Sequence, residues 1–214
     1  MEQLIRHLYR VFSKYEKPSD FRACKHCMSD EEKAVLLNGW LRELEPDELA
    51  GYAGKVFLTV GGLDDFKYFL PRILQLSVNE EFFFPCPEVV FGSLRMAEWE
   101  QWPEDERAVI LELINCKFDL LLQNPESKGS DLDEWICAFG QCVPDITPYL
   151  NRLFEKANED KLLSFIEWNP SVFTMNKLDN AFWLLTSNND ERVLAWMKQD
   201  RIKALLSERY GMSF

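Results

Sequence analysis

The stretch Asp64-Asp65-Phe66-Lys67-Tyr68-Phe69-Leu70-Pro71-Arg72-Ile73-Leu74 decides the fold class of this chain. Its apolar residues follow the i, i+3, i+4, i+7, i+8 spacing that places side chains on one face of an α-helix. The two aspartates complement the positive end of a helix dipole, so they predict the helix start. Pro71 lies inside the stripe and predicts a kink or a division of the helix in two.

Helical spacing recurs along most of the chain. One stripe consists of Leu4, Leu8, Val11, Phe12 and Tyr15, and the longest predicted helix runs from Pro103 to Leu122. Further helices are predicted at 46–59, 87–98, 131–140, 146–156, 159–167, 176–186 and 190–207. Phe82-Phe83-Phe84 fits a short strand, but prolines follow it and no second strand is available for pairing. The sequence therefore predicts an all-α protein.

Length and composition predict a single helical domain over residues 1–214. The hydrophobic share of 47% and the aromatic share of 14% are enough to bury a sizeable core, which disordered chains lack. The many short helices fit a multi-helix bundle or HEAT-like stacked helix pairs. A helix with an internal proline is typical of HEAT repeats. No fixed repeat period is present, so we expect a bundle in which HEAT-like pairing is an option.

The chain is acidic, with 36 acidic and 24 basic side chains, a formal net charge of −12 and a pI near 4.7. This charge repels nucleic-acid phosphates and anionic lipids, so we expect neither nucleic acid nor membrane as a partner. It attracts a basic protein partner. The alternative is that the acidity serves solubility alone.

The N-terminal residues Met1-Glu2-Gln3-Leu4-Ile5-Arg6-His7 lack the pattern of a signal peptide. Since no window approaches the roughly 18 apolar residues of a membrane span, we expect a cytoplasmic protein. In that compartment cysteines are kept as thiols. The six cysteines are Cys24, Cys27, Cys86, Cys116, Cys137 and Cys142.

The motif Cys24-Lys25-His26-Cys27 has three interpretations. Two thiolates at this spacing are half of a tetrahedral zinc site, but no second ligand pair stands at a compatible spacing. A redox dithiol is the second alternative, although that motif normally follows a strand and opens a helix. Because the ligand set is incomplete, structural thiols are the favoured interpretation.

No catalytic residues are predicted. The chain has two histidines, His7 and His26, and an activation of Cys24 or Cys27 by His7 lacks a third, orienting residue. Neither a phosphate-binding loop nor a GxSxG, GxGxxG or HExxH motif occurs, and Gly61-Gly62 is interpreted as a helix C-cap with a turn. Adjacent acids are explained by helix dipoles. We therefore expect neither a metal nor a cofactor.

One acidic corner is the candidate for partner binding. It is the stretch Glu98-Trp99-Glu100-Gln101-Trp102-Pro103-Glu104-Asp105-Glu106. Tryptophan is over-represented at binding hot spots, and clustered acids complement a basic partner. The predicted contact residues are Glu98, Trp99, Glu100, Trp102, Glu104, Asp105 and Glu106. The alternative is an ordinary bend with both indoles in the core and the acids in solvent.

The stretch from Cys24 to Trp102 resembles an uncharacterised bacterial protein family of no known function. The similarity rests on the following segments: Cys24-x-x-Cys27, Leu41-Arg42-Glu43-Leu44, Asp47-Glu48-Leu49, Tyr52-Ala53, Thr59, the run from Asp64 to Leu74, Pro87-Glu88-Val89 and Trp99-Glu100-Gln101-Trp102-Pro103. The resemblance implies a bacterial source and a helical fold, and it implies no activity, ligand or site.

These observations favour a non-enzymatic macromolecular binding protein. The specific hypothesis is an immunity-type inhibitor that neutralises a toxin by binding it through an acidic surface. One alternative is a HEAT-like scaffold or regulatory adaptor. Another is a zinc- or thiol-dependent enzyme or sensor.

Overall fold

The computed structural model describes residues 1–211. Within that range the chain is 68% helical and forms 12 α-helices, so the prediction of an all-α multi-helix protein is confirmed. The described residues contain no strand, only two isolated β-bridges, Ala23 to Val60 and Val56 to Val60. None of the helices in the described residues is both long and apolar enough to cross a membrane.

Contacts along the chain group it into two compact units, and the boundary falls inside the longest helix. Unit 1 runs from Met1 to Lys117, and unit 2 begins at Phe118. The helices of unit 1 are α1 (Glu2–Phe12), α2 (Asp30–Asn38), α3 (Pro46–Ala53), α4 (Leu63–Val78), α5 (Pro87–Met96) and α6 (Glu104–Gln123), with 3₁₀ helices at Leu41–Glu43 and Trp99–Gln101. The single domain expected from chain length stays a prediction.

Unit 2 contains six shorter helices. They are α7 (Gly129–Cys142), α8 (Thr147–Arg152), α9 (Glu159–Trp168), α10 (Ser171–Met175), α11 (Asn189–Met197) and α12 (Asp200–Tyr210), with 3₁₀ helices at Lys156–Asn158 and Ala181–Leu185. Helix α7 packs closely on α9, because a Cβ at Gly129 would lie 2.1 Å from the backbone oxygen of Ser164. Only glycine permits that approach.

Helix α4 forms the centre of unit 1, as its apolar stripe predicts. Phe66, Phe69 and Leu70 are completely buried. The helix runs unbroken past Pro71, so the predicted division into two helices is wrong. The predicted C-cap at Gly61-Gly62 is also wrong, because these residues precede α4 and lie after a loop. Gly61 has a φ of +66°, a conformation that favours glycine.

The main errors in the predicted helices have local causes. Helix α2 was not predicted, although Ser29 and Glu32 form a capping box at its start. The helix predicted over 176–186 is wrong: Asn176 is left-handed, and the side chain of Asn180 accepts a bond from the N–H of Phe182 at 2.9 Å. Such side-chain bonds compete with helix formation. The segment 190–207 is two helices, α11 and α12.

The run Phe82-Phe83-Phe84 forms a loop and not the short strand that its composition suggests. The side chain of Phe83 is fully exposed. Glu80, two residues before the run, has a φ of 60°, so the chain turns as it leaves α4. Without a second strand to pair with, the β-propensity of three phenylalanines does not produce a strand.

Candidate functional site

The acidic corner predicted as a partner surface connects α5 to α6. Both of its indoles are buried, Trp99 at 3% exposure and Trp102 at 6%. Glu106 is fully buried as well. These three residues are therefore not available as direct contacts, which corrects this part of the hypothesis. The remaining carboxylates lie on the surface; they are Glu98, Glu100, Glu104 and Asp105.

Trp102 is a core residue of unit 1. Its ring makes edge-to-face contacts with Phe12, at 6.2 Å between centroids, and with Phe66, at 6.3 Å. Its indole N–H donates to the backbone oxygen of Ala97 at 3.0 Å, so the polar atom is satisfied inside the core. The ammonium of Lys67 lies 4.1 Å from the ring centroid, which adds a cation–π contact.

Glu106 is the centre of a buried charged cluster. Its carboxylate accepts from the ammonium of Lys67 at 2.8 Å and from the hydroxyl of Tyr15 at 2.6 Å. Lys14 adds an ion pair at 2.8 Å and also reaches Asp105 at 3.2 Å. Burial acts to raise the pKa of Glu106, but the hydrogen bonds from Lys14, Lys67 and Tyr15 outweigh it and lower this pKa. The carboxylate is therefore ionised and paired.

A cavity of about 390 Å³ opens beside this cluster in unit 1. We call it the aromatic groove; it is lined by Tyr9, Phe12, Ser13, Tyr15, Trp40, Leu41, Arg42, Glu43, Tyr68 and Pro71. Tyr15 joins the two features, because it lines the groove and donates to Glu106. The volume falls in the range of roughly 300–1,000 Å³ that is usual for ligand pockets.

Trp40 is the most distinctive residue of the aromatic groove, since 77% of its surface is exposed. Its backbone is nevertheless fixed. The oxygen of Trp40 accepts the N–H groups of Glu43 at 2.8 Å and of Leu44 at 3.2 Å. The preceding oxygen, on Gly39, accepts from the ammonium of Lys17 at 2.7 Å. A large indole is thus held in solvent by an ordered backbone.

Arg42 and Tyr9 form a stacked pair in the same groove. The guanidinium carbon lies 3.8 Å from the centroid of the Tyr9 ring. The Tyr9 hydroxyl donates to Gln75 at 2.8 Å, and burial raises the pKa of Tyr9 to about 12. The phenol therefore stays neutral at physiological pH. Among the described residues that line the groove there is neither histidine nor cysteine, and the hydroxyl of Ser13 donates to the oxygen of Arg10 at 2.8 Å.

A second cavity of unit 1, of about 540 Å³, contains His7, Glu112 and Cys116. The imidazole Nδ1 of His7 lies 3.9 Å from the Glu112 carboxylate, beyond hydrogen-bond distance. Neither Cys24 nor Cys27 lines this cavity. Across residues 1–211 no three His, Cys, Asp or Glu side chains are grouped in a way that could hold a metal ion.

Comparisons with protein-family models, curated proteins and solved structures find no match to this chain. The site is therefore described from its own geometry. Sequence patterns missed the aromatic groove, because its residues come from three separate segments. One available signal was the Gly39-Trp40-Leu41-Arg42 sequence, where a tryptophan follows the glycine at the end of α2.

Proposed function

We propose that this chain is a binding protein whose partner is a basic protein that docks on the aromatic groove. The observation that carries the proposal is Trp40, exposed at 77% on a fixed backbone beside the stacked Arg42 and Tyr9. Tryptophan, tyrosine and arginine are the residues that dominate binding hot spots. A rigid indole also loses little conformational entropy on binding.

Charge supports a basic partner. The chain carries a formal net charge of −12, and Glu43 lines the groove itself. Asp105 lies on the surface close to Tyr15, because both are joined to the Lys14 and Glu106 cluster. A basic partner surface would gain association rate from this field and lose it at high salt.

We further propose that the partner is a basic toxin enzyme and that this chain is its immunity-type inhibitor. Covering a cationic active-site surface with carboxylates and one large indole would block substrate access. The hypothesis is narrower than partner binding, because it requires that the partner has an activity and that binding abolishes it.

The test begins with co-purification of the tagged chain and identification of bound proteins by mass spectrometry. Binding of the purified partner is then measured by calorimetry for wild type, Trp40→Ala and Trp168→Ala. Trp168 is the matched control, since it is also an exposed tryptophan, at 52%, but lies in unit 2. We expect Trp40→Ala to weaken binding by about 2 kcal/mol, roughly thirtyfold, and Trp168→Ala to leave it unchanged.

Two results would contradict the proposal. Equal affinities for wild type and Trp40→Ala would show that the aromatic groove is not part of the interface. If the affinity did not fall as the salt concentration is raised, electrostatic attraction would not contribute to binding of the partner. For the immunity hypothesis, the partner's own activity is measured with and without the chain, and undiminished activity in a saturated complex would reject it.

A further inference from the structure

The motif Cys24-Lys25-His26-Cys27 forms a hydrogen-bonded turn. The N–H groups of Cys27 and Met28 donate to the backbone oxygen of Cys24 at 2.8 Å and 3.0 Å. Such a turn keeps its first and fourth Cα atoms within about 7 Å, and a disulfide needs Cα atoms about 4.4–6.8 Å apart. The turn therefore places the two cysteines at a separation that an internal disulfide can span.

The turn is anchored on both sides to the loop between α3 and α4. The N–H of Cys24 donates to the oxygen of Thr59 at 2.9 Å, and the N–H of Gly61 donates to the oxygen of Arg22 at 2.7 Å. The ammonium of Lys55 donates to the oxygen of Cys27 at 2.6 Å. Both cysteines are half-buried. The backbone of the turn is therefore held in place, and both cysteines remain partly accessible to a second molecule.

The surroundings of Cys24 favour its thiolate. The backbone N–H of His26 and the thiol of Cys27 donate to its sulfur, and these hydrogen bonds lower the pKa of Cys24. Lys25 lies within the turn and Lys55 donates to it, so two basic residues adjoin the cysteines in a chain that is acidic as a whole. Reactive cysteines are partly exposed and have a lowered pKa, whereas buried structural cysteines are inert.

We propose that Cys24 and Cys27 form a thiol–disulfide exchange pair whose substrates are disulfides. The Cys24 thiolate attacks one sulfur of the substrate disulfide, and the other half leaves as a thiolate that takes a proton from water. Cys27 then loses its proton to water, and its thiolate attacks the Cys24 sulfur to form the internal disulfide. The second half leaves as a thiolate that takes a proton from water. The substrate gains two electrons and the cysteine pair loses two, so the reaction needs no other reactant.

The test uses glutathione disulfide and the reduced full-length chain, with free thiols alkylated at set times and mapped by mass spectrometry. We expect an internal Cys24–Cys27 disulfide to form at least about tenfold faster than any glutathione adduct of Cys116, which is also half-buried. In Cys27→Ser, glutathione should remain attached to Cys24, because the second attack is lost. The Cys116→Ser variant should behave as wild type.

Three outcomes would overturn the proposal. Glutathione adducts that form on Cys116 as fast as on Cys24 would show that the turn confers no reactivity. Absence of the internal disulfide in wild type would show that the pair does not close. If Cys27→Ser formed no stable glutathione adduct on Cys24 while its fold was intact by circular dichroism, Cys24 would not be the residue that attacks the substrate disulfide first. None of these results depends on the partner-binding proposal, which rests on Trp40.

Discussion

The two units of the molecule satisfy a buried carboxylate in different ways. In unit 1, Glu106 is paired with the ammonium of Lys67 at 2.8 Å. In unit 2, Asp133 accepts from the amide of Asn169 at 3.0 Å and from the indole N–H of Trp183 at 3.1 Å. The first arrangement joins charged side chains of α4 and α6, and the second joins polar side chains to α7.

The difference shows how each unit uses its polar interior. In unit 1 the charged cluster reaches the surface through Tyr15 and Lys14, and so it supports the wall of the aromatic groove. In unit 2 the buried amide of Asn189 bonds to three backbone groups, at Gly140, Val143 and Ile146, and fixes the end of α7. Buried polar groups in one unit support a candidate site, and in the other they hold the fold.

The largest expected effect is the removal of the charged centre of unit 1. Glu106→Ala leaves Lys67, which is 6% exposed, without its buried carboxylate. Breaking a buried ion pair from one side costs about 3–5 kcal/mol, because the remaining charge stays desolvated. Urea denaturation should show this loss of unfolding free energy. Glu104→Ala, an exposed acid in the same helix turn, should change it by less than about 0.5 kcal/mol.

Removing the buried amide of Asn189 in unit 2 should lower the unfolding free energy by a smaller amount. Asn189→Ala removes one bond accepted from the N–H of Ile146 and two donated to backbone oxygens. Leaving these buried groups unpaired should cost about 2–3 kcal/mol of unfolding free energy, and no charge is stranded. Asn115→Ala, at an exposed position of α6, serves as the control. If Asn189→Ala lowered the unfolding free energy as much as Glu106→Ala, the charged centre of unit 1 would not be more costly to break than the neutral centre of unit 2.

Acid titration should test the ion pairing of Glu106 in unit 1. Since the pKa of Glu106 is lowered in the folded state, its contribution is complete above the unfolded value of about 4.3 and is lost as pH falls through the folded value. Between about pH 6 and pH 3, the unfolding free energy of wild type should therefore fall more steeply with decreasing pH than that of Glu106→Gln. The difference between the two slopes corresponds to at most one bound proton. Glu104→Gln should retain the wild-type slope. Parallel curves for wild type and Glu106→Gln would show that Glu106 does not titrate as described.

The fold class could be predicted from the sequence because it rests on local periodicity. The spacing of Phe66, Phe69 and Leu70 places them on one helix face whatever they pack against, and the structure buries all three. Segments with competing side-chain bonds were harder to predict. Asn180 caps a 3₁₀ helix with its own side chain, where the apolar pattern alone favoured an α-helix.

The candidate site was less predictable, because burial is a tertiary property. The spacing of Trp99 and Trp102 fits an exposed patch as well as a packed bend, and only the contacts of Trp102 with Phe12 and Phe66 decide between them. The aromatic groove combines Tyr9, Trp40 and Tyr68, which are far apart in sequence. No local pattern shows that such residues meet.

The smallest expected effect on stability belongs to the residue with the largest proposed role in binding. Trp40→Ala should change the free energy of unfolding by less than about 0.5 kcal/mol, because 77% of the side chain is already in solvent and the backbone bonds of Trp40 do not involve it. Urea denaturation of the variant beside wild type measures this directly. A loss above about 2 kcal/mol would mean that the indole stabilises the wall of the groove. Weaker partner binding by the variant would then reflect a changed fold. Trp40 could not be assigned to binding alone, and the buried cluster would not be the part of unit 1 that stabilises the fold while the groove binds.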